Sequence, residues 1–294
     1  MLKMLKLPSS TTLYLICTSK TTHNDSEDLL LPVISAHFQS PAPVEFKSLT
    51  VTARQSGYMT GILNITASTF PSTSPDYQTQ NFESNMVGNP ELVLLFDDLS
   101  KPGHSTDLLK QACKMLPISG LEFISMSATG TSIIDINWVE LFSCCTNVTA
   151  MEANGIGTTS LVHALAAKTV TNAGSSKEGR KRKRGNRKDT VAHAQPAIFP
   201  KLISLGLTEL EFSESRYSSG IRFDVFERGL QQRTAASGAP LRLLRICGCE
   251  ISAEHAGDLQ KLVECFDWDG SEGLDDDDGS SCWDCNSDES SDEW

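Results

Sequence analysis

Two segments in the second half of the chain share one spacing of apolar residues. Residues 202–212 (LISLGLTELEF) and 241–251 (LRLLRICGCEI) both carry apolar side chains at positions 1, 4, 6, 9 and 11. The change from a period of three to a period of two favours a short strand with alternate side chains facing inward, then a turn at position 9. Residues 121–126 (LEFISM) are a weaker copy, and 46–51 (FKSLTV) are a partial one.

This spacing is that of the leucine-rich repeat, in which each unit of 20–29 residues contributes one strand and one helical segment. We therefore predict an α/β fold: a leucine-rich-repeat solenoid, a horseshoe of short parallel strands and helices. The interval from Leu121 to Val148 fits one unit. The longer intervals elsewhere require inserted segments between units.

The rest of the pattern alternates between strand-like and helix-like segments. Helices are predicted from apolar residues at i, i+3, i+4 and i+7 behind a capping residue. They fall at 105–116, 137–145 and 252–266, with another around 223–230. Strands are predicted at 13–17, 46–52, 91–96, 121–127, 147–153, 202–207 and 241–247.

Three segments have compositions that cannot bury enough apolar surface to offset the entropy of ordering. Residues 68–90 form a polar loop, 168–197 a basic disordered insert, and 267–294 an acidic disordered tail. We accordingly predict one irregular repeat domain over residues 1–266, followed by the tail.

Charge of one sign is concentrated in two of these segments. The chain carries 25 Lys and Arg against 37 Asp and Glu, a net charge of −12, and residues 267–294 hold twelve acids without a basic residue. The run 177–188 holds eight basic groups, and its centre is a candidate nuclear import signal. No aromatic residue is interleaved in 174–190 to stack on bases, which argues against nucleic acid as a partner. The candidate import residues are Arg180, Lys181, Arg182, Lys183 and Arg184.

Other features point to an intracellular protein, nuclear or cytoplasmic, without cofactor, metal or catalytic site. The chain has 9 Cys, an odd number that fits free thiols in a reducing compartment. No apolar run approaches the roughly 20 residues that cross a bilayer. The six His are scattered, and the lone pair Cys282 and Cys285 lacks two further zinc ligands nearby.

The carboxyl half, from FPKLISLGLTELEF to APLRLLRICGCEI, resembles the fungal F-box/leucine-rich-repeat proteins. The stretches FKSLTVTARQSGYMTGILNITASTFPS and ACKMLPISGLEFIS resemble them too, so the resemblance covers roughly residues 10–270. It implies a horseshoe that binds a target protein for ubiquitin-dependent degradation. An F-box in that family recruits the adaptor subunit of a cullin–RING ligase.

The amino-terminal part departs from that family. Residues 27–38 (EDLLLPVISAHF) place Pro after the leucines, and no acid follows the Pro, so no F-box helix is recognised and the chain is expected to begin inside the repeats. Adaptor binding is then expected only if an F-box lies upstream. We predict non-catalytic protein recognition through side chains that point outward from the strands. The candidate surface comprises Thr50, Ser125, Ser204, Arg242 and Arg245.

Two alternatives stay open. An alternation of strands and helices also describes a doubly wound α/β enzyme, although no cofactor-binding loop follows the first strand. The chain could also be a truncated repeat product without a function. The order of strands in the sheet distinguishes a solenoid from a doubly wound domain, because a solenoid places each strand beside its neighbour in sequence.

Overall fold

A computed structural model defines the architecture of much of the chain. It describes residues 13–18, 31–32, 34–38, 44–56, 60–70, 92–99, 103–129, 136–155, 158–165, 198–210, 212–213, 221–237 and 240–271. The basic insert, most of the polar loop and the acidic segment after Ser271 lie outside these residues. So does the candidate import signal.

The described residues form a mixed α/β structure around one large, open and mostly parallel sheet. Its nine strands lie in the order β1-β4-β3-β2-β5-β6-β7-β10-β11, and β8 pairs with β9 separately. The strand bounds are β1 Leu13–Thr18, β2 Ser48–Ser56, β3 Thr60–Ser68, β4 Leu92–Leu99, β5 Phe123–Ala128, β6 Ala150–Gly155, β7 Ser204–Thr208, β8 Phe212–Ser213, β9 Ile221–Arg222, β10 Leu243–Cys247 and β11 Cys265–Trp268.

Within the nine-stranded sheet, every strand except β3 runs in the same direction. β3 pairs antiparallel with both β2 and β4, and the other pairs are parallel. From β5 to β11 the strands of this sheet follow the order of the chain. The β2–β3–β4 excursion departs from the all-parallel expectation, and β3 was not among the predicted strands.

Five helices, α1 to α5, and the helical residues 31–32 and 34–38 contribute buried side chains to one core. Alternate residues of the strands belong to the same core. Leu108 and Leu109, for example, are at most 1% exposed on the same core as Leu49 and Val51. No helix in the described part of the chain is long and apolar enough to cross a membrane. The helix bounds are α1 His104–Met115, α2 Trp138–Phe142, α3 Thr158–Leu165, α4 Phe223–Ser237 and α5 Ala253–Gln260.

The parallel strands begin in a recurrent way. The carbonyl of Lys47 accepts hydrogen bonds from two consecutive N–H groups at the entry to β5, at 2.8 and 3.0 Å. The carbonyls of Glu122, Thr149 and Ile203 do the same at the entries to β6, β7 and β10. Each new strand is therefore positioned by the residue at the entry of the previous one.

The carboxyl-terminal part corrects two predictions. The helix predicted over 252–266 ends at Gln260, and Cys265 lies exposed on β11 instead of buried on a helix face. Asp267 also lies in β11, so the predicted start of the acidic segment at 267 falls inside a strand. The i, i+3, i+4, i+7 pattern failed here because its last apolar residues pack from a strand paired with β10.

Candidate functional site: the open face of the sheet

One face of the sheet, here called the open face, carries the side chains that alternate with the core residues. Strand pairing aligns one such residue from each of the nine strands into a single line, here called the central row. Cross-strand neighbours on one face of a sheet lie close enough to act together. In spatial order the central row is Tyr14, Val93, Thr66, Thr50, Ser125, Glu152, Gly206, Arg245 and Asp267.

Alternation along each strand places these residues on the open face. Successive side chains of a strand point to opposite faces, so a residue between two core residues must point away from the core. Ser125 lies between Ile124 and Met126, which are 0% and 6% exposed. Arg245 lies between two fully buried residues in the same way.

The chemistry of the open face changes across the sheet. At the β1 edge, Tyr14 and Ile16 are both 57% exposed, beside Val93 and Leu95 of β4. Within the central row, hydroxyl side chains occupy the centre, and the charged residues lie from β6 to β11. The face therefore offers an apolar end, a hydrogen-bonding centre and an ionic end.

An ion pair organises the charged end. Arg245 Nε lies 2.7 Å from Asp267 Oδ2 on the neighbouring strand. Arg242, just before β10, is more exposed, and its Nε lies 3.9 Å from Glu264 Oε2. The two arginines of the predicted surface therefore already face acids of this chain.

Glu152 is the most perturbed acid on the open face. Burial raises its pKa to about 7, and the positive charge of Arg245 lowers it by a smaller amount. The side chain extends beside Gly206, where an added Cβ would lie 3.3 Å from Glu152 Cγ. The absence of a side chain at Gly206 leaves room for this acid between β6 and β10.

The perturbed acid predicts a pH-dependent stability. Because folding raises the pKa of Glu152, the folded state binds its proton more tightly, and that stabilisation is lost as the pH rises from 4.5 through 7. Glu152→Gln imitates the protonated acid and does not titrate. Relative to this variant, the wild-type free energy of unfolding should fall by roughly 2–3 kcal/mol between pH 5 and pH 8.

Urea denaturation of both proteins across this pH range measures the difference. Glu254→Gln on α5 is the matched control, because Glu254 is an exposed acid away from the sheet. If the free energies of unfolding of wild type and Glu152→Gln differ by the same amount from pH 5 to pH 8, the raised pKa of Glu152 is contradicted.

The predicted surface residues are only partly brought together. Thr50 and Ser125 are direct cross-strand partners in the central row, and Arg245 lies in the same row. Ser204 was predicted to lie between two inward residues, but its neighbour Ile203 is 39% exposed. Gly206 occupies the equivalent position two residues later.

Sequence reasoning missed Glu152 and Asp267. Each lies at position 5 of the apolar spacing. This is the outward position, between apolar positions 4 and 6, that also identified Thr50 and Arg245. Residues 148–153 (VTAMEA) and 263–268 (VECFDW) match positions 1, 4 and 6. Residues 148–153 match the spacing weakly because position 6 holds only Ala153. Residues 263–268 overlap the helix predicted over 252–266.

The described residues contain no group of three His, Cys, Asp or Glu side chains arranged to hold a metal ion. The pair Cys282 and Cys285 lies outside them. Of the predicted thiols, Cys113 and Cys145 are buried, and burial raises the pKa of Cys113 to about 12.

No protein-family model, curated protein or solved structure matches the chain. The residues of the open face are therefore the basis for the proposed function.

Proposed function

We propose that the open face recognises a protein partner without catalysis, and that the sheet and its helices form an irregular leucine-rich-repeat solenoid. The observation that carries the proposal is the central row, in which nine strands each contribute one residue to the open face. A sheet of mostly parallel strands presents such side chains on a broad surface, as repeat proteins use for binding.

Recurrent backbone hydrogen bonds support a repeat architecture. The paired hydrogen bonds at the entries to β5, β6, β7 and β10 use equivalent positions of the apolar spacing. From β5 to β11, equivalent residues of neighbouring strands are separated by 27, 54, 39 and 22 positions, so the two longer intervals require inserted segments between units. The strand order from β5 to β11 favours a solenoid over a doubly wound domain, whose strand order reverses at the ligand site. The amino-terminal strands do not follow this order, because β1 lies beside β4 and β2 lies between β3 and β5.

The turn after β10 gives further support. Cys249 occupies position 9 of the spacing and is fully buried. Its Sγ accepts a hydrogen bond from the Leu210 N–H at 3.4 Å, and this sulfur, with its single S–H, lies 3.3 Å from the Cys247 carbonyl and 3.7 Å from the Leu207 carbonyl as acceptors. The position-9 residue thereby joins one proposed unit to the preceding one.

The chemistry of the open face defines the partner that it fits. Eight strand spacings give the central row a length of about 38 Å, which an extended segment of about 11 residues would span. An apolar side chain of the partner would contact Tyr14 and Ile16. A charged side chain would reach the end formed by Glu152 and Asp267.

The resemblance to fungal F-box/leucine-rich-repeat proteins extends this proposal. In that setting the bound protein would be a target for ubiquitin-dependent degradation, and an F-box would supply the contact with the cullin–RING adaptor. Binding of purified adaptor to the full-length protein tests this extension separately from target recognition.

A steric block in the middle of the central row tests the proposed function. Ser125→Trp adds a large side chain between Thr50 and Glu152, whereas Gln231→Trp adds the same side chain to an exposed position of α4. Proteins that co-purify with the wild-type chain are identified by mass spectrometry and compared among the three. We expect specific partners to be lost with Ser125→Trp and retained with Gln231→Trp.

Unchanged partners in the Ser125→Trp sample, with the fold intact by circular dichroism, would contradict recognition through the open face. Loss of the same partners with Gln231→Trp would move the interface to the helices.

A further inference from the structure

Glu152 lies in an environment that favours a cationic neighbour. It is half-buried on β6, and within the described residues no hydrogen-bond donor reaches its carboxylate. An acid that is removed from water without a donor is expensive to ionise. A positively charged group delivered from outside would recover that cost.

A second acceptor lies two residues along the same face. Asn154 Oδ1 is buried, and no group in the described part of the chain forms a hydrogen bond with it. Buried polar atoms without partners are rare in folded proteins. Two residues along a strand advance about 6.6 Å, so both acceptors belong to one small region of β6.

The charged groups around this region lie beyond its flanking strands. On β5 the facing residues are Ser125 and Ser127, and on β7 they are Ser204, Gly206 and Thr208, none of them charged. Among the described residues, Arg245 on β10 already lowers the pKa of Glu152, and the acids Asp267 and Asp269 lie beside β10, where Cys247 is the other titratable group on this face. Arg245 directs its Nε to Asp267 at 2.7 Å.

We propose that the carboxylate of Glu152 and the amide oxygen of Asn154 form a subsite for an arginine side chain of the bound protein. The guanidinium presents five N–H donors in a planar fork, which suits a carboxylate and a neighbouring amide oxygen. The inference rests on the proposed recognition function of the open face. It assigns one contact of that interface a defined chemistry.

A small probe tests the subsite without the partner protein. N-acetyl-arginine-N-methylamide is titrated into the full chain at pH 8, and its uncharged citrulline analogue is titrated in parallel. Chemical shifts of the Glu152, Asn154 and Gly206 amides report binding by NMR. We expect saturable shifts in the millimolar range for the arginine compound alone.

Three variants distinguish a specific contact between the arginine probe and Glu152 from general electrostatic attraction to the protein. Glu152→Gln should weaken the probe at least tenfold, whereas Glu254→Gln removes the same charge from α5 and should leave binding unchanged. Arg245→Gln removes the competing guanidinium and should tighten the probe severalfold. Binding by the wild type should also weaken between pH 8 and pH 6, as Glu152 takes up a proton.

Equal shifts with the citrulline analogue, or unchanged affinity in Glu152→Gln, would overturn the subsite. Those results would leave the proposed function standing, because Ser125→Trp tests it with the intact partner. Loss of partners with Ser125→Trp but not with Glu152→Gln would likewise reject only the arginine contact.

Discussion

Replacing Arg233 with leucine is expected to lower the free energy of unfolding by about 3 kcal/mol or more, since three buried carbonyls lose a charged donor. Arg233 is 2% exposed on α4. Its guanidinium donates to the carbonyls of Ile198, Phe199 and Leu202 at 3.3, 2.7 and 3.2 Å. These carbonyls belong to the turn that leads into β7.

The turn depends on this support because it contains a disfavoured backbone conformation. Phe199 has a φ of 52° and is buried, and a bulky residue in the left-handed region is strained. Arg233 bonds the Phe199 carbonyl directly. Loss of the guanidinium should therefore disturb both the hydrogen bonds and the conformation of the turn.

Urea denaturation of three variants tests the assignment. Arg228→Leu lies on the same helix, but its side chain is 62% exposed and pairs with Asp224, so it should cost less than about 1 kcal/mol. Arg233→Lys keeps the charge but lacks the planar fork and should give an intermediate loss. Equal stabilities of Arg233→Leu and Arg228→Leu would show that the turn does not need Arg233.

Gly155→Ala is expected to lower the free energy of unfolding by about 2–3 kcal/mol, the second largest loss after that of Arg233→Leu. Gly155 ends β6 with a φ of 79°, and an added Cβ would overlap the Ala128 carbonyl oxygen of β5. A backbone oxygen within the sheet cannot move aside as a flexible side chain can. The substitution would therefore separate β6 from β5 at their carboxyl ends.

Two other glycines separate the two causes of this loss, the strained backbone conformation and the overlap with β5. Gly103 has a φ of 80° with no atom within 4 Å of an added Cβ, so Gly103→Ala should cost only the conformational strain, about 1–2 kcal/mol. Gly257 lies within α5 in open space and should gain up to about 1 kcal/mol as alanine. Thermal unfolding of the three variants ranks their stabilities. Similar losses of stability for Gly155→Ala and Gly103→Ala would show that the contact with β5 does not contribute.

Much of the sheet was predictable because its strands follow one apolar spacing. The segments 121–127, 202–207 and 241–247 were located to within two residues of β5, β7 and β10. Leucines that alternate within a strand carry a strong signal, since the core requires them on one face. The same signal located Thr50, Ser125 and Arg245 in the central row.

The failures came from segments where local patterns were ambiguous or absent. β3 has alternating apolar residues, but it does not match the repeat spacing, and its antiparallel pairing has no marker in the sequence. At β11, Phe266 fits a helical period and a strand period equally well. Pairing with β10 selects the strand, and this is a tertiary effect.

The two most distinctive polar residues could not have been identified from local sequence. Arg233 lies in a polar stretch of α4, and its partners are carbonyls more than thirty residues earlier in the chain. The raised pKa of Glu152 arises from its burial on the sheet, which the positive charge of Arg245 only partly offsets. Both properties depend on which segments the fold brings together.

The affinity of a captured partner for the wild type, Ser125→Trp and Gln231→Trp tests recognition by the open face most directly. Isothermal titration calorimetry with the purified partner should show at least a tenfold loss for Ser125→Trp and less than a twofold change for Gln231→Trp. Equal affinities for all three proteins would show that the open face does not contact the partner.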